Sequence, residues 1–256
     1  MVSILQAIIL GIVQGITEWL PISSSGHLVL FQKLFGIQPP VLFDIILHIG
    51  SLIVVFIVFW KDIVKLAKGL IKKEKASWIY LSKLLIASIP IALVGFFLNG
   101  FIKSIFHSTK TVGFSLLFTA LLLYISKYPK KKNRSITFKN TFIMGIFQSL
   151  AILPGVSRSG STISAGLLQG AKRQETARFS FLLFIPAILG ATVMEITTLS
   201  QINGNLTALI IGTVFAIIAG VLSLKLLLKI INKNKFQYFS IYCLILGIIL
   251  LFIAYA

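Results

Sequence analysis

The chain has 256 residues, 57% of them hydrophobic and only 12% charged, with a mean hydropathy of +0.99 and a formal net charge of +18. A soluble domain carries about 25% charged residues, so a water-soluble globular fold is excluded, and a single cysteine, Cys243, excludes a disulfide framework. The basic excess lies between apolar runs, where orientation signals and lipid headgroup contacts belong, so no nucleic-acid partner is expected.

The first apolar segment, 1–35, is broken in its middle by GITEWLPISSSGHLVL at 15–30. Pro21 removes a backbone donor and clashes with the preceding turn, so neither half is long enough to cross a bilayer comfortably. Broken backbone at membrane depth is tolerated only where it lines a protein-enclosed or watery cavity. The segment therefore reads as a re-entrant helical hairpin. No basic residue precedes Lys33, so no cleavable leader is expected.

Three spanning helices are predicted next, at 43–60, 78–99 and 111–126. A basic linker, 127–139, separates them from a second broken apolar segment at 140–170. Spans at 179–200, 207–231 and 237–256 complete the chain. The segments 61–75, with six lysines, and 127–139, with five lysines and an arginine, read as basic loops. So do 171–178 and 232–235, whereas 100–110 and 201–206 are loops poor in charge. With basic loops in the cytoplasm, all six spans fit one zigzag. The prediction is an all-α polytopic membrane protein of one domain, for the cell membrane.

The two broken segments resemble each other. GIVQ at 11–14 matches GIFQ at 145–148, and SSSG at 23–26 aligns with SRSG at 157–160. Repeat one is then 1–126 and repeat two 140–256. The first hairpin enters from outside and the second from inside, which makes an inverted-topology repeat. In such folds the broken tips meet near the bilayer midplane and build the site there.

Both tips suit an anion. Ser23, Ser24, Ser25 and Gly26 precede one short helix, and LPGVSRSGSTI precedes another. Each aims a helix N-terminus, with free N–H groups and partial positive charge, at the centre. Arg158 adds a planar fork for two phosphate oxygens, and an arginine at this depth is a functional residue by default. Ser157, Ser159 and Gly160 flank it, and Thr162 either caps the helix or touches phosphate. Tip one supplies Glu18 as acid, base or metal ligand, His27 as a group that changes charge near neutral pH, and Ser24 as a nucleophile. The set spells phosphoryl chemistry on a lipid-borne substrate. A transporter of a phosphorylated lipid is the rival reading, because inverted repeats with broken helices are also a transporter design. His48, inside a predicted span and outside either tip, reads as a hydrogen-bonded core histidine.

GxxQGxTEWLPISSSGH and LPGVSRSGST resemble the two signatures of the undecaprenyl-diphosphate phosphatase family of the bacitracin-resistance type. The resemblance covers essentially the whole chain. It implies a membrane enzyme that removes the terminal phosphate of a polyprenyl diphosphate, the carrier lipid of cell-envelope glycans. It implies divalent-cation dependence, Mg²⁺ first and Ca²⁺ second, and homodimers. Position by position, the family's essential glutamate falls on Glu18, its serine on Ser24, its histidine on His27 and its arginine on Arg158. Its first acid position is Gln14 here, a carbonyl oxygen without charge, so the metal is expected on Glu18, Gln14 and the diphosphate itself. In this reading Ser24 or water attacks, His27 is general base and later acid, and Arg158 with the helix N-termini holds the diphosphate. The site is expected to open to the external face.

Overall fold

Where a backbone faces lipid it must satisfy its own polar groups, and helix is the local solution. A computed structural model describes residues 2–37, 41–128, 134–194 and 205–255, and all its named elements are helical. The first broken segment folds as α1 (Ile4–Thr17) and α2 (Ser24–Leu34), and the second as α8 (Phe138–Leu150) and α9 (Arg158–Leu168). Between them lie α3 (Val41–Val58), α4 (Trp60–Ile71), α5 (Lys75–Phe97), α6 (Asn99–Ile105) and α7 (Thr109–Ile125). After them come α10 (Arg173–Leu182), α11 (Phe184–Met194), α12 (Leu206–Asn232) and α13 (Phe239–Tyr255).

Among the described residues, four stretches are long and apolar enough to cross a membrane: Lys75–Phe97, Arg173–Met194, Leu206–Asn232 and Phe236–Tyr255. The apolar α3 with α4 makes a fifth if that bent pair counts as one span, and α7 is apolar but only 17 residues long. The four coincide with the predicted 78–99, 179–200, 207–231 and 237–256 to within about six residues at each described end; 129–133 and 195–204, which include the end of one predicted span and most of the predicted 201–206 loop, lie outside the described residues.

Three predicted loops are helical instead. The segment 61–75 forms most of α4, which turns 77° away from α3. Lys61, Lys65, Lys68 and Lys72 recur every three to four residues, and Ile63, Leu66 and Leu70 fall on the opposite face. The lysine run is therefore one side of an amphipathic helix suited to lying along the membrane interface. The 100–110 loop contains α6, and the basic 171–178 segment is the start of α10.

Each hairpin packs on a span that follows the other in sequence: α1 runs along α12, and α8 along α5. Both contacts rest on missing side chains. A Cβ at Gly11 would sit 2.1 Å from the Gly212 carbonyl oxygen, and one at Gly145 would sit 2.2 Å from that of Ala87. Small residues let apolar helices approach closely where lipid supplies no hydrophobic drive. At the first tip, Trp19 is fully buried and meets Phe181 and Phe184 edge-on at 5.8 and 5.3 Å. The tip of the first hairpin is thereby clamped to α10 and α11.

Candidate active site

The two hairpin tips meet. The Gly155 N–H donates to Ser25 Oγ at 3.4 Å, and Ser159 Oγ donates to the Trp19 carbonyl at 3.0 Å. A Cβ at Gly26 would come within 3.2 Å of Gly155 Cα. Gly155 itself has φ +96, and a Cβ there would lie 2.6 Å from the Val112 carbonyl oxygen, so a residue with a side chain is barred twice over. Ser23, with φ 70, is a strained cap whose hydroxyl accepts from the Gly26 N–H. Ser157 does the same for the Gly160 N–H at 3.0 Å. Both short helices, α2 and α9, therefore begin at the junction with capped first turns.

Glu18 is the hub. Arg158 Nη2 donates to its Oε1 at 2.9 Å. Ser24 Oγ donates to its Oε2 at 2.6 Å, and Gln14 Nε2 donates to the same oxygen at 3.2 Å. The arginine, whose side chain is 11% exposed, also donates to the Ser180 carbonyl and lies 4.3 Å from the centre of the Phe184 ring. A charge at this depth demands a partner, and each member of the pair is the other's.

A cavity of about 150 Å³ opens onto this pair. Glu18, Ser23, Ser24, Ser25, Ser157 and Arg158 give it a polar wall, and Ile91, Ala187, Ile188 and Ala191 an apolar flank. The size and the wall suit a phosphate group with a hydrocarbon leaving on one side.

Five of the sequence candidates face elsewhere. His27 Nδ1 donates to the Ser23 carbonyl at 2.7 Å, so in the neutral ring Nε2 accepts from the Tyr242 hydroxyl at 2.7 Å. The His27 ring stacks on Tyr242 and lines a separate, largely apolar cavity of about 650 Å³. Thr162 donates to the Arg158 carbonyl at 2.8 Å and shares a hydrogen bond with Ser180, so it props the arginine rather than forming the wall. Ser159 is spent on Trp19, Gly160 packs against Pro21, and Gly26 lies at the junction of the tips.

One further residue, outside both tips, reaches the cavity. His48, on α3, lines the same cavity, and its Nε2 lies 3.6 Å from Glu18 Oε2. The signal was the Asp44-x-x-x-His48 spacing, a turn apart on a span beside the hairpin, hidden in an otherwise apolar run. Ser51, one turn further on, accepts from Gln14 at 3.2 Å.

A cation can be tested against this donor set. Both Glu18 oxygens are already engaged, and Gln14 turns its nitrogen toward Glu18 while its Oε1 stays buried without a partner. Among the described residues no three His, Cys, Asp or Glu side chains gather into a cage. On their own these side chains offer one carboxylate and one amide oxygen, fewer oxygens than a divalent cation takes when the protein alone holds it.

The comparisons with known proteins agree with one another. A family model described as bacitracin resistance protein BacA matches residues 7–249. An undecaprenyl-diphosphatase of Methanosphaera stadtmanae is 43% identical over 272 aligned residues, covering 97% of each chain. One from Halothermothrix orenii is 44% identical over 261, covering 98% of each. A third, from Carboxydothermus hydrogenoformans, is 42% identical over 96% of this chain and 95% of its own.

Proposed function

The chain belongs to the bacitracin resistance protein BacA family, and from that premise we propose how it works. It is an integral-membrane undecaprenyl-diphosphatase, and it hydrolyses the terminal phosphate of the lipid diphosphate. The observation that carries the mechanism is the junction itself: Arg158 from one hairpin on Oε1 of Glu18 from the other, with the Ser24 hydroxyl on Oε2.

The diphosphate enters the cavity, where Arg158 and the first-turn N–H groups of α2 and α9 hold its oxygens. Preorganised donors of this kind stabilise the charge that builds on a transferring phosphoryl group. Ser24 is the nucleophile. Its Oγ attacks the terminal phosphorus, the bond to the bridging oxygen breaks, and the lipid leaves as a monophosphate. Glu18 Oε2, already accepting the Ser24 hydrogen, takes the proton. Water then attacks the phosphoserine and releases inorganic phosphate.

The prenyl chain runs along the apolar flank made by Ile91 of α5 and Ala187, Ile188 and Ala191 of α11. With the basic segments in the cytoplasm, the substrate arrives from the external leaflet. Divalent-cation dependence enters with the substrate, since Mg²⁺ is commonly carried on phosphate oxygens with few protein ligands. No step of the transfer is assigned to the cation. We also assign the two halves, 1–126 and 140–256, to inverted repeats, supported by the exchange of hairpins in which α1 packs on α12 and α8 on α5. Association into homodimers is the family expectation we carry forward.

The test is phosphate release from undecaprenyl diphosphate by purified protein in detergent, with no gradient present. Wild-type release that disappears in Arg158→Ala is the expected result. Release that survives that change misplaces the site, and a wild type that releases nothing returns the transporter to first place.

A further inference from the structure

We infer that His48 serves this site through Glu18, as the proton carrier that receives the Ser24 proton by way of that carboxylate. The inference rests on the hydrolytic reading above and adds a residue that neither hairpin motif contains.

The geometry fixes the tautomer. His48 Nδ1 lies 2.7 Å from the main-chain carbonyl of Asp44, one turn back on α3. A carbonyl can only accept, so Nδ1 carries the hydrogen and in the neutral ring Nε2 holds the lone pair. Nε2 is the atom that lies 3.6 Å from Glu18 Oε2, and the side chain is 26% exposed, on the wall of the cavity.

His27 is differently placed. Both of its ring nitrogens are engaged, on Ser23 and Tyr242, and it lines the other cavity. Of the two histidines, His48 is the one whose open nitrogen faces the atoms that react.

The step balances. As Ser24 Oγ bonds to phosphorus and the lipid monophosphate departs, the serine proton passes to Glu18 Oε2 and then to His48 Nε2, giving an imidazolium. In the second half, water oxygen bonds to the phosphoserine phosphorus and the bond from phosphorus to Ser24 Oγ breaks. The imidazolium proton returns through Glu18 to Ser24. One water hydrogen stays on the released phosphate and the other leaves as the net proton of diphosphate hydrolysis. The ionisable groups around the imidazole are Asp44 one turn back on α3, Glu18 on the first hairpin and, across the cavity, Arg158 on the second, so the imidazolium forms between two carboxylates of which Glu18 is paired with the guanidinium.

The experiment compares His48→Gln and His48→Ala with the wild type in purified form, on undecaprenyl diphosphate. Glutamine keeps a hydrogen-bonding side chain but accepts no proton. We expect kcat to fall roughly 100-fold or more in both variants, the range that general acid–base groups supply, with KM changed less than about threefold. Added imidazole should restore His48→Ala in a saturable way and leave Arg158→Ala inactive. Thermal melting checks the fold, and His48→Asn replaces His48→Gln if the latter does not reach a folded state. Wild-type kcat in His48→Gln, or a loss in His48→Ala that imidazole does not relieve, overturns the assignment. The two readings fail separately: full turnover in Ser24→Ala and Arg158→Ala removes the site, whereas their inactivity beside a fully active His48→Gln removes only the histidine.

Discussion

Arg158 and Glu18 stand 140 positions apart in the chain and 2.9 Å apart in space, joined across the meeting of two broken helices. Neither charge is sustainable at that depth alone. The pair is at once the cross-link between the halves of the protein and the floor of the cavity.

Removing one member tests both roles. Arg158→Ala leaves Glu18 as an uncompensated carboxylate, which costs about 3–5 kcal/mol when a buried pair is broken from one side. Hydrolysis should vanish and the melting temperature should drop. Arg158→Lys keeps the charge but loses the planar fork, so it should melt close to the wild type while losing most of its turnover. Equal turnover in the lysine variant would mean that charge alone suffices and that two-pronged contact does not matter.

Ser24→Ala addresses the nucleophile. Rapid quenching of wild-type protein with terminally ³²P-labelled substrate should trap a phosphoprotein, and the alanine variant should show none. Hydrolysis in ¹⁸O-water that labels the phosphate in one turnover, without any trapped species, would instead make water the direct attacker.

Gln14→Glu places a second carboxylate beside Glu18, where an amide nitrogen now donates at 3.2 Å. The variant should require less Mg²⁺ for half-maximal activity, because two carboxylates and a diphosphate make a stronger oxygen set than the diphosphate by itself. In the wild type, the Mg²⁺ requirement should track substrate concentration. An unchanged Mg²⁺ dependence in Gln14→Glu would show that the cation never approaches α1.

The close approach of α1 to α12 predicts a stability effect remote from the chemistry. Gly11→Ala forces a methyl to within 2.1 Å of the Gly212 carbonyl oxygen unless the helices separate. Overpacking of this kind costs typically 1–3 kcal/mol. Melting in detergent should shift downward, and Gly36→Ala, with nothing within 4 Å of its Cβ position but φ +62, should shift it less.

Access can be read by labelling. The single native cysteine, Cys243, is buried against the Pro21 carbonyl, so its background should be silent. A cysteine placed at Ser25 should react with a membrane-impermeant thiol reagent added outside cells. Reaction from the cytoplasmic face alone would reverse the orientation.

Much of this arrangement is written plainly in the residue order. Pro21, the serine runs and Arg158 mark the two tips, because each is costly in lipid and so must line a protected cavity. The apolar runs mark the spans for the same reason. What escaped is what depends on partners far along the chain. His27 sits in SSSGH beside the nucleophile, yet Tyr242, 215 residues later, holds its ring toward another cavity. His48 is embedded in an apolar helix with no motif around it, and only the packing of α3 beside α1 brings it to Glu18. The lysines of 61–75 read as a loop by charge alone; spaced by three and four, they cover one side of α4.

The ion pair at the junction also has a consequence for how the protein is made. Glu18 is synthesised early and its guanidinium only after more than half of the polypeptide has left the ribosome. Until the second hairpin inserts, the first holds a carboxylate with no counter-charge, and no product truncated before α9 can hydrolyse anything. Competence thus arrives late and in one step during membrane insertion, and co-expressed halves cut in the 127–139 linker should regain turnover only when both are present.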